Sequence, residues 1–158
     1  MRATRLNHVS IRADDLEESA AFYEGVFGMQ RLPTPRFAAP LLWMRLGDLQ
    51  VHLFQRDTQP PPFEHFALEV DDFEAIYRRT QELGTHDRVT HGHHLLRLAD
   101  GGVQLYLRDP AGNLVEIVCR SDADLSPELR EEMVNRMDKY PQNEEQRSAT
   151  LFLLPPDG

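Results

Sequence analysis

The sequence predicts an α+β fold: paired βαβββ modules forming a curved mixed sheet around a central cup, with the helices on the outside. Three observations predict it. The stretch LNHVSIRADDLEESAAFYEGVFG, from Leu6 to Gly28, returns in outline as EHFALEVDDFEAIYRRTQELG, from Glu64 to Gly84. Each copy passes from strand-like alternation through an aspartate pair to a helical stripe that ends at a glycine. Polar residues able to act as ligands stand at matching places in the two halves, with His8 laid on His65 and His52 on Glu116.

Alternation over residues 6–12 and 65–70 suits strands, whose successive side chains face opposite ways. Asp14 or Asp15, and Asp71 or Asp72, are placed to cap the helix that follows by accepting its free N–H groups. Leu16, Ala20, Tyr23 and Phe27 make an apolar stripe at helical spacing, and Phe73, Ile76, Tyr77 and Thr80 make a weaker one; Gly28 and Gly84 are the expected stops. Strands follow at about 41–46 and 49–55, joined by a tight Gly47-Asp48 turn, and at about 94–98, 103–108 and 113–119. Asp100-Gly101-Gly102 and the run from Asp109 to Asn113 are the turns of the second half.

The later strands align in two ways. Val51-His52-Leu53 can be laid on Val115-Glu116-Ile117, or Gln50 to Leu53 on Gln104 to Leu107. The expected domain is residues 1–120, with module 1 at about 5–57, a Pro-rich linker at 59–62 and module 2 at about 63–120. Residues 121–158 form an extension outside the repeat. Ser126-Pro127 opens a helix of about 127–139 there, and a tail with a possible strand at 149–154 follows. This extension is expected to pack on the domain or to cover a dimer contact.

Of 158 residues, 17 are basic and 26 acidic, a formal charge of −9. That balance argues against nucleic-acid binding, which needs clustered Lys and Arg. No apolar run is long enough for a membrane span, and no apolar signal segment follows Met1 and Arg2, so a cytoplasmic location is expected. The single cysteine, Cys119, excludes an intrachain disulfide and a multi-cysteine zinc site, and its place at the end of an apolar strand suits packing.

Glu116 is the most telling residue. It lies between Val115 and Ile117 in an apolar strand, where a carboxylate must find a cation, find strong donors, or take a proton. His8, His52 and His65 occupy repeat-related places, and three imidazoles with one carboxylate suit a borderline divalent metal: Zn, Mn, Fe, Co or Ni, one ion per site. A lone histidine on a strand is ordinarily a core residue; the conjunction with Glu116 shifts the balance. His91-Gly92-His93-His94 is expected to be a solvated run rather than a second site, and Arg97, Arg108 and Arg120 are expected to face solvent.

The motifs Leu6-Asn7-His8-Val9-Ser10-Ile11, Phe22 to Met29, His65 to Val70 and Asp109 to Glu116 together resemble the vicinal oxygen chelate superfamily over about residues 5–119. That group includes glyoxalase I, methylmalonyl-CoA epimerase, extradiol dioxygenases, and the fosfomycin- and bleomycin-resistance proteins. The resemblance implies that His8, His65 and Glu116 are metal ligands. It implies that His52, where glyoxalase I has a glutamate, is a fourth ligand or an acid/base. Tyr106 matches a substrate-contacting tyrosine of the fosfomycin transferases, and Ser10 matches their hydroxyl near the first histidine. The implied activity is that of a metal-dependent lyase, isomerase or dioxygenase gripping a small substrate by vicinal oxygens, with His52, Glu116 and Tyr106 as catalytic residues. The alternative is an antibiotic-binding or antibiotic-modifying resistance protein of the bleomycin or fosfomycin type. Relatives of this length imply a homodimer, often with each site completed across chains, in which case His8 and His52 come from one subunit and His65 and Glu116 from the other; the sequence is compatible with swapped and unswapped pairing alike.

Overall fold

Each half of the sequence folds into a sheet with a helix against it, as the repeat predicts. The computed structural model describes residues 3–153. In the first half, β1 (His8–Ala13), α1 (Leu16–Phe27), β2 (Gln30–Leu32), β3 (Leu41–Leu46) and β4 (Leu49–Gln55) form a four-stranded sheet in the order β1-β4-β3-β2. β1 runs parallel to β4, with Ser10 opposite His52, and the other pairings are antiparallel. In the second half, β5 (His65–Glu69), α2 (Phe73–Glu82), β6 (Leu95–Arg97), β7 (Val103–Arg108) and β8 (Leu114–Cys119) repeat that order as β5-β8-β7-β6. β4 and β8 thus hold the same place in their sheets. This agrees with the alignment of His52 on Glu116 and not with the one that lays β4 on β7.

The aspartate pairs behave as caps. Asp15 accepts from Glu18 N at 2.9 Å and Asp72 from Ala75 N at 2.9 Å, satisfying orphan donors at each helix start. Gly28 ends α1 with φ +63°, a left-handed conformation costly for any residue with a Cβ. Ser19, Ala20, Tyr23 and Val26 form the buried face of α1, and Phe73, Tyr77 and Thr80 that of α2. Leu46 pairs with Leu49, so Gly47-Asp48 is a two-residue hairpin turn with Gly47 at positive φ. β2 was not foreseen: Gln30-Arg31-Leu32 lacks alternation, and only its pairing with β3 makes it a strand.

The chain divides into two compact units. One holds the residues up to Phe66 together with Arg108–Leu114; the other holds Ala67–Leu107 and the residues from Val115 on. The first is centred on Ala13, Ala20, Tyr23, Met44, Val51 and Leu53, the second on Leu95, Leu105, Leu107, Val115 and Ile117, all wholly or almost wholly buried.

In the first unit the turn from Asp109 to Asn113 is a fastening. The Asp109 carboxylate accepts from the Ala111 and Asn113 N–H groups, from Asn113 Nδ2 and, at 2.8 Å, from the buried Tyr23 hydroxyl of α1. Asn113 Nδ2 also donates to the Arg12 carbonyl of β1 at 2.8 Å. One buried side chain therefore ties turn and helix together, with its amide neighbour reaching the first strand.

The extension departs from expectation. The predicted helix over about 127–139 is broken into α3 (Pro127–Glu132) and α4 (Arg136–Lys139), with β9 (Val134–Asn135) between them. Met133 is extended at ψ 137°, and Val134 and Asn135 pair in parallel with Leu96 and Arg97. The β-branched Val134 on an unoccupied sheet edge has won over helix continuation. β9 makes the second sheet five-stranded, so the extension packs on its own unit. A four-residue α5 (Glu144–Arg147) follows. No strand forms over residues 149–153; Leu154, the end of that expected strand, lies outside the described residues, as do Met1 and Arg2. Among the described residues no helix is long and apolar enough to cross a membrane.

Candidate functional site

The strand order sets the first group of side chains. β4 lies between β1 and β3, so His52 is flanked by both neighbours. Its ring stacks on His8 of β1 (centroids 4.3 Å apart, 16° between planes) and on Trp43 of β3 (4.6 Å, 11°). His52 is 8% exposed, and burial followed by the adjacent His8 holds its pKa below the usual imidazole value.

Hydrogen bonds set the tautomers. His8 Nδ1 donates to Asn7 Oδ1 at 2.9 Å, His52 Nε2 to Gln50 Oε1 at 2.9 Å, and His65 Nδ1 to the Phe63 carbonyl at 2.8 Å. An imidazole whose one nitrogen donates to an oxygen carries its lone pair on the other, the arrangement found around metal-ligating histidines. His65, at the start of β5, also lines a cavity of about 330 Å³ in the first unit, with Ser10, Glu64 and Asn113 among its polar walls.

The second unit holds the other group. Glu116, in the middle of β8, is 3% exposed, and Gln104 Nε2 of β7 donates to its Oε1 at 2.8 Å. Tyr106, also on β7, is buried; burial, the charge of Glu116 and a hydrogen bond to it raise the phenol's pKa, keeping it protonated at neutral pH. Arg136, at the start of α4, donates through Nη2 to the Tyr106 hydroxyl at 3.4 Å.

Of the residues singled out in the sequence, the structure brings His8 to His52 and Tyr106 to Glu116. Among the described residues it does not gather three or more His, Cys, Asp or Glu side chains into one group able to hold a metal ion. Sequence reading passed over Asn7, Gln50 and Gln104, the groups that orient the candidate ligands, and Trp43. Gln50 and His52 are two apart on one strand and so share a face, a signal available without the structure.

The histidine run needs correction. His94 is wholly buried rather than solvated, packed against His86 (4.6 Å) and His93 (4.7 Å), with its Nε2 3.2 Å from Glu132 of α3. Burial and the nearby His86, Arg88 and His93 lower its pKa to about 4, with Glu132 opposing. Arg97 and Arg120 face solvent as expected, each making a surface ion pair, Arg97 to Asp122 and Arg120 to Glu69. Arg108 donates to the Gly112 and Pro62 carbonyls in the first unit.

Comparison with known proteins agrees with this architecture. Human mitochondrial methylmalonyl-CoA epimerase is 33% identical over an 86-residue alignment that covers 45% of this chain and 49% of that protein. The chain spans about half the length of the curated relatives it matches. Among solved structures, Oxidase ChaP-H2 superposes with a TM-score of 0.62 at 27% identity, covering 75% of this chain and 95% of that one. Lactoylglutathione lyase from Agrobacterium tumefaciens does so at 0.57 and 25%, covering 74% and 94%. A variant of the fosfomycin resistance protein FosX from Listeria monocytogenes, solved with Mn(II) and 1S,2S-dihydroxypropylphosphonic acid, reaches 0.63 at 16% identity over 82% and 98%, a likeness of fold alone. The model of the Glyoxalase/Bleomycin resistance protein/Dioxygenase superfamily matches residues 5–117. With that match spanning most of its length and the paired βαβββ sheets in place, the chain belongs to this superfamily.

Proposed function

We propose that the protein is a metal-dependent enzyme of the glyoxalase/dioxygenase type, a lyase, isomerase or oxygenase, with His8, His52, His65 and Glu116 as ligands of one divalent cation. The observation that carries this reading is the orientation of the donors. All three imidazoles have one nitrogen committed to an oxygen acceptor, and the buried Glu116 carboxylate is held by Gln104. Such outer partners fix ring orientation and raise ligand basicity. A buried carboxylate steered in this way suits a metal ligand better than a drug-sequestering cleft, so the enzyme reading is preferred to the antibiotic-binding alternative.

The donor set, three imidazoles and one carboxylate, fits a borderline ion such as Mn, Fe, Co, Ni or Zn. When bound, such an ion supplies Lewis-acid polarisation of two neighbouring oxygens on a small substrate. The chain's own groups do the rest. His52 is neutral at neutral pH, with Nδ1 as its basic nitrogen, so it can serve as ligand or accept a proton there. Tyr106, held protonated, would donate to a substrate oxygen by exchanging its hydrogen bond to Glu116. We further propose a homodimer in which ligands from two copies complete each site, His8 and His52 coming from one chain and His65 and Glu116 from the other.

Elemental analysis of wild type and Glu116→Ala tests the reading. About one divalent ion per chain in wild type, lost in the variant, supports it. No uptake by wild type after reconstitution with Mn, Fe, Co, Ni or Zn overturns it and favours the binding-protein alternative.

A further inference from the structure

We infer that the cavity of the first unit is a binding site for a small organic ammonium ion with an apolar body, its charge received by Glu64. The inference needs no metal and stands apart from the chelation reading.

The walls of the cavity are mostly apolar, with Val9, Ile11, Pro61, Phe66 and Leu114 among them. Its volume of about 330 Å³ lies at the small end of the range for ligand sites. The walls are also fixed in place. One is the linker from Thr58 to Pro61, stiffened by Pro60-Pro61-Pro62. Arg108 ties that linker down, donating through Nη2 to the Pro62 carbonyl and through Nη1 to the Gly112 carbonyl, each at 3.0 Å. Pro60 packs over Gly112 so closely that a Cβ there would lie 3.1 Å from the proline Cγ. Asn113, a further lining residue, is held by Asp109 and by the Arg12 carbonyl.

Arg12 and Glu64 both line the cavity, and only Glu64 has its charge to spare. The Arg12 guanidinium is spent on Asp14 and on the Ala111 and Arg56 carbonyls, and its Nε, though without a partner, is closed off from solvent. Glu64 is exposed and, among the described residues, makes no hydrogen bond or ion pair. The backbone adds an acceptor of the same kind. β1 is the edge strand of its sheet. The Asn7 and Ala13 carbonyls accept from Gln50 N and Arg56 N, so the odd-numbered residues of this stretch turn their backbone groups to β4. Ser10 and Arg12 turn theirs to the open edge, where Asn113 Nδ2 takes the Arg12 carbonyl and leaves that of Ser10 beside the cavity.

Oxygen acceptors around an apolar space select a cation rich in N–H donors, and an ammonium group carries up to three. The Phe66 ring among the walls favours a cation further. An anion meets repulsion from Glu64, and a neutral alcohol leaves its charge unmet.

The test titrates the full chain with cyclohexylmethylamine, cyclohexylmethanol and cyclohexanecarboxylate, which share one ring and differ in the head. Backbone amide shifts are followed by NMR, with and without EDTA. The amine is expected to bind about fivefold more tightly than the alcohol, the upper end for an exposed ion pair, with shifts centred on Ser10, Phe66 and Asn113. The carboxylate is expected to bind more weakly than either. Glu64→Gln keeps the shape and is expected to bring the amine down to the alcohol, whose affinity stays unchanged. Thr58→Trp, at an exposed linker position, is expected to weaken amine and alcohol alike by filling the space. No binding of the amine, equal binding of amine and alcohol by wild type, or a preference that survives Glu64→Gln overturns the inference. So do shifts centred elsewhere and binding untouched by Thr58→Trp. A preference seen only without EDTA would be coordination to a metal, and it too overturns the inference.

Discussion

Acidification should destabilise the second unit through His94, by an amount that can be worked out. The side chain is wholly buried, and its pKa falls from the ordinary 6.5 to about 4 because burial and three neighbouring basic groups oppose its charge. The folded pKa lies below the unfolded one, so as pH falls below about 6.5 the unfolded chain takes up a proton that the folded chain refuses. The contribution is complete above about pH 6.5 and is lost progressively toward about pH 4. Linkage over that shift gives at most about 2 kcal/mol lost by about pH 5. His86 and His52, also shifted downward, act in the same direction, so the measurement must be a difference between variants. Urea unfolding of wild type and His94→Leu at about pH 7.5 and pH 5, followed by circular dichroism, supplies it; Trp43 lies in the other unit and is the wrong reporter. Wild type should lose up to about 2 kcal/mol more than the variant on acidification. If the two proteins lose stability in parallel, to within about 0.3 kcal/mol, the linkage argument is refuted.

Tyr23→Phe removes the hydroxyl that donates to buried Asp109 and should cost about 1–2 kcal/mol in urea unfolding followed by Trp43 emission, whereas Asp109→Ala strands four donors and should cost more than twice as much; equal costs would show that the carboxylate is not the hub of that turn. If two copies complete each metal site, co-expressing His8→Ala with Glu116→Ala should restore metal to about a quarter of all sites, since random pairing makes about half the dimers mixed and each mixed dimer has one intact site. Metal content of the mixture no higher than that of either parent would show that each site is built within one chain.

Most of the fold was legible because it repeats. A capped helix after an alternating strand is a local object, and Asp15, Asp72 and Gly28 announce theirs by chemistry that needs no partner. The misses were all pairings. Gln30 to Leu32 and Val134-Asn135 are strands only because β3 and β6 offer them an edge, and no short-range pattern encodes that offer. His94 misled for the same reason: its polar neighbours in sequence suggested solvent, whereas its neighbours in space are Tyr77, His86 and Glu132.

The site divides along the same line, with one instructive exception. His8, His52, His65 and Glu116 stood out through the repeat, yet of the residues that orient them only Gln50, two from His52 on one strand, is signalled locally; the roles of Asn7 and Gln104 show only in the folded contacts. Trp43 could have been found. Once Gly47-Asp48 is taken as a two-residue turn, Leu46 must face Leu49 and, three steps out on each strand, Trp43 must face His52. A tight hairpin is therefore a local signal with a long-range consequence. Here that consequence is to lay the single tryptophan on the face of a candidate ligand, where it shields His52 from water.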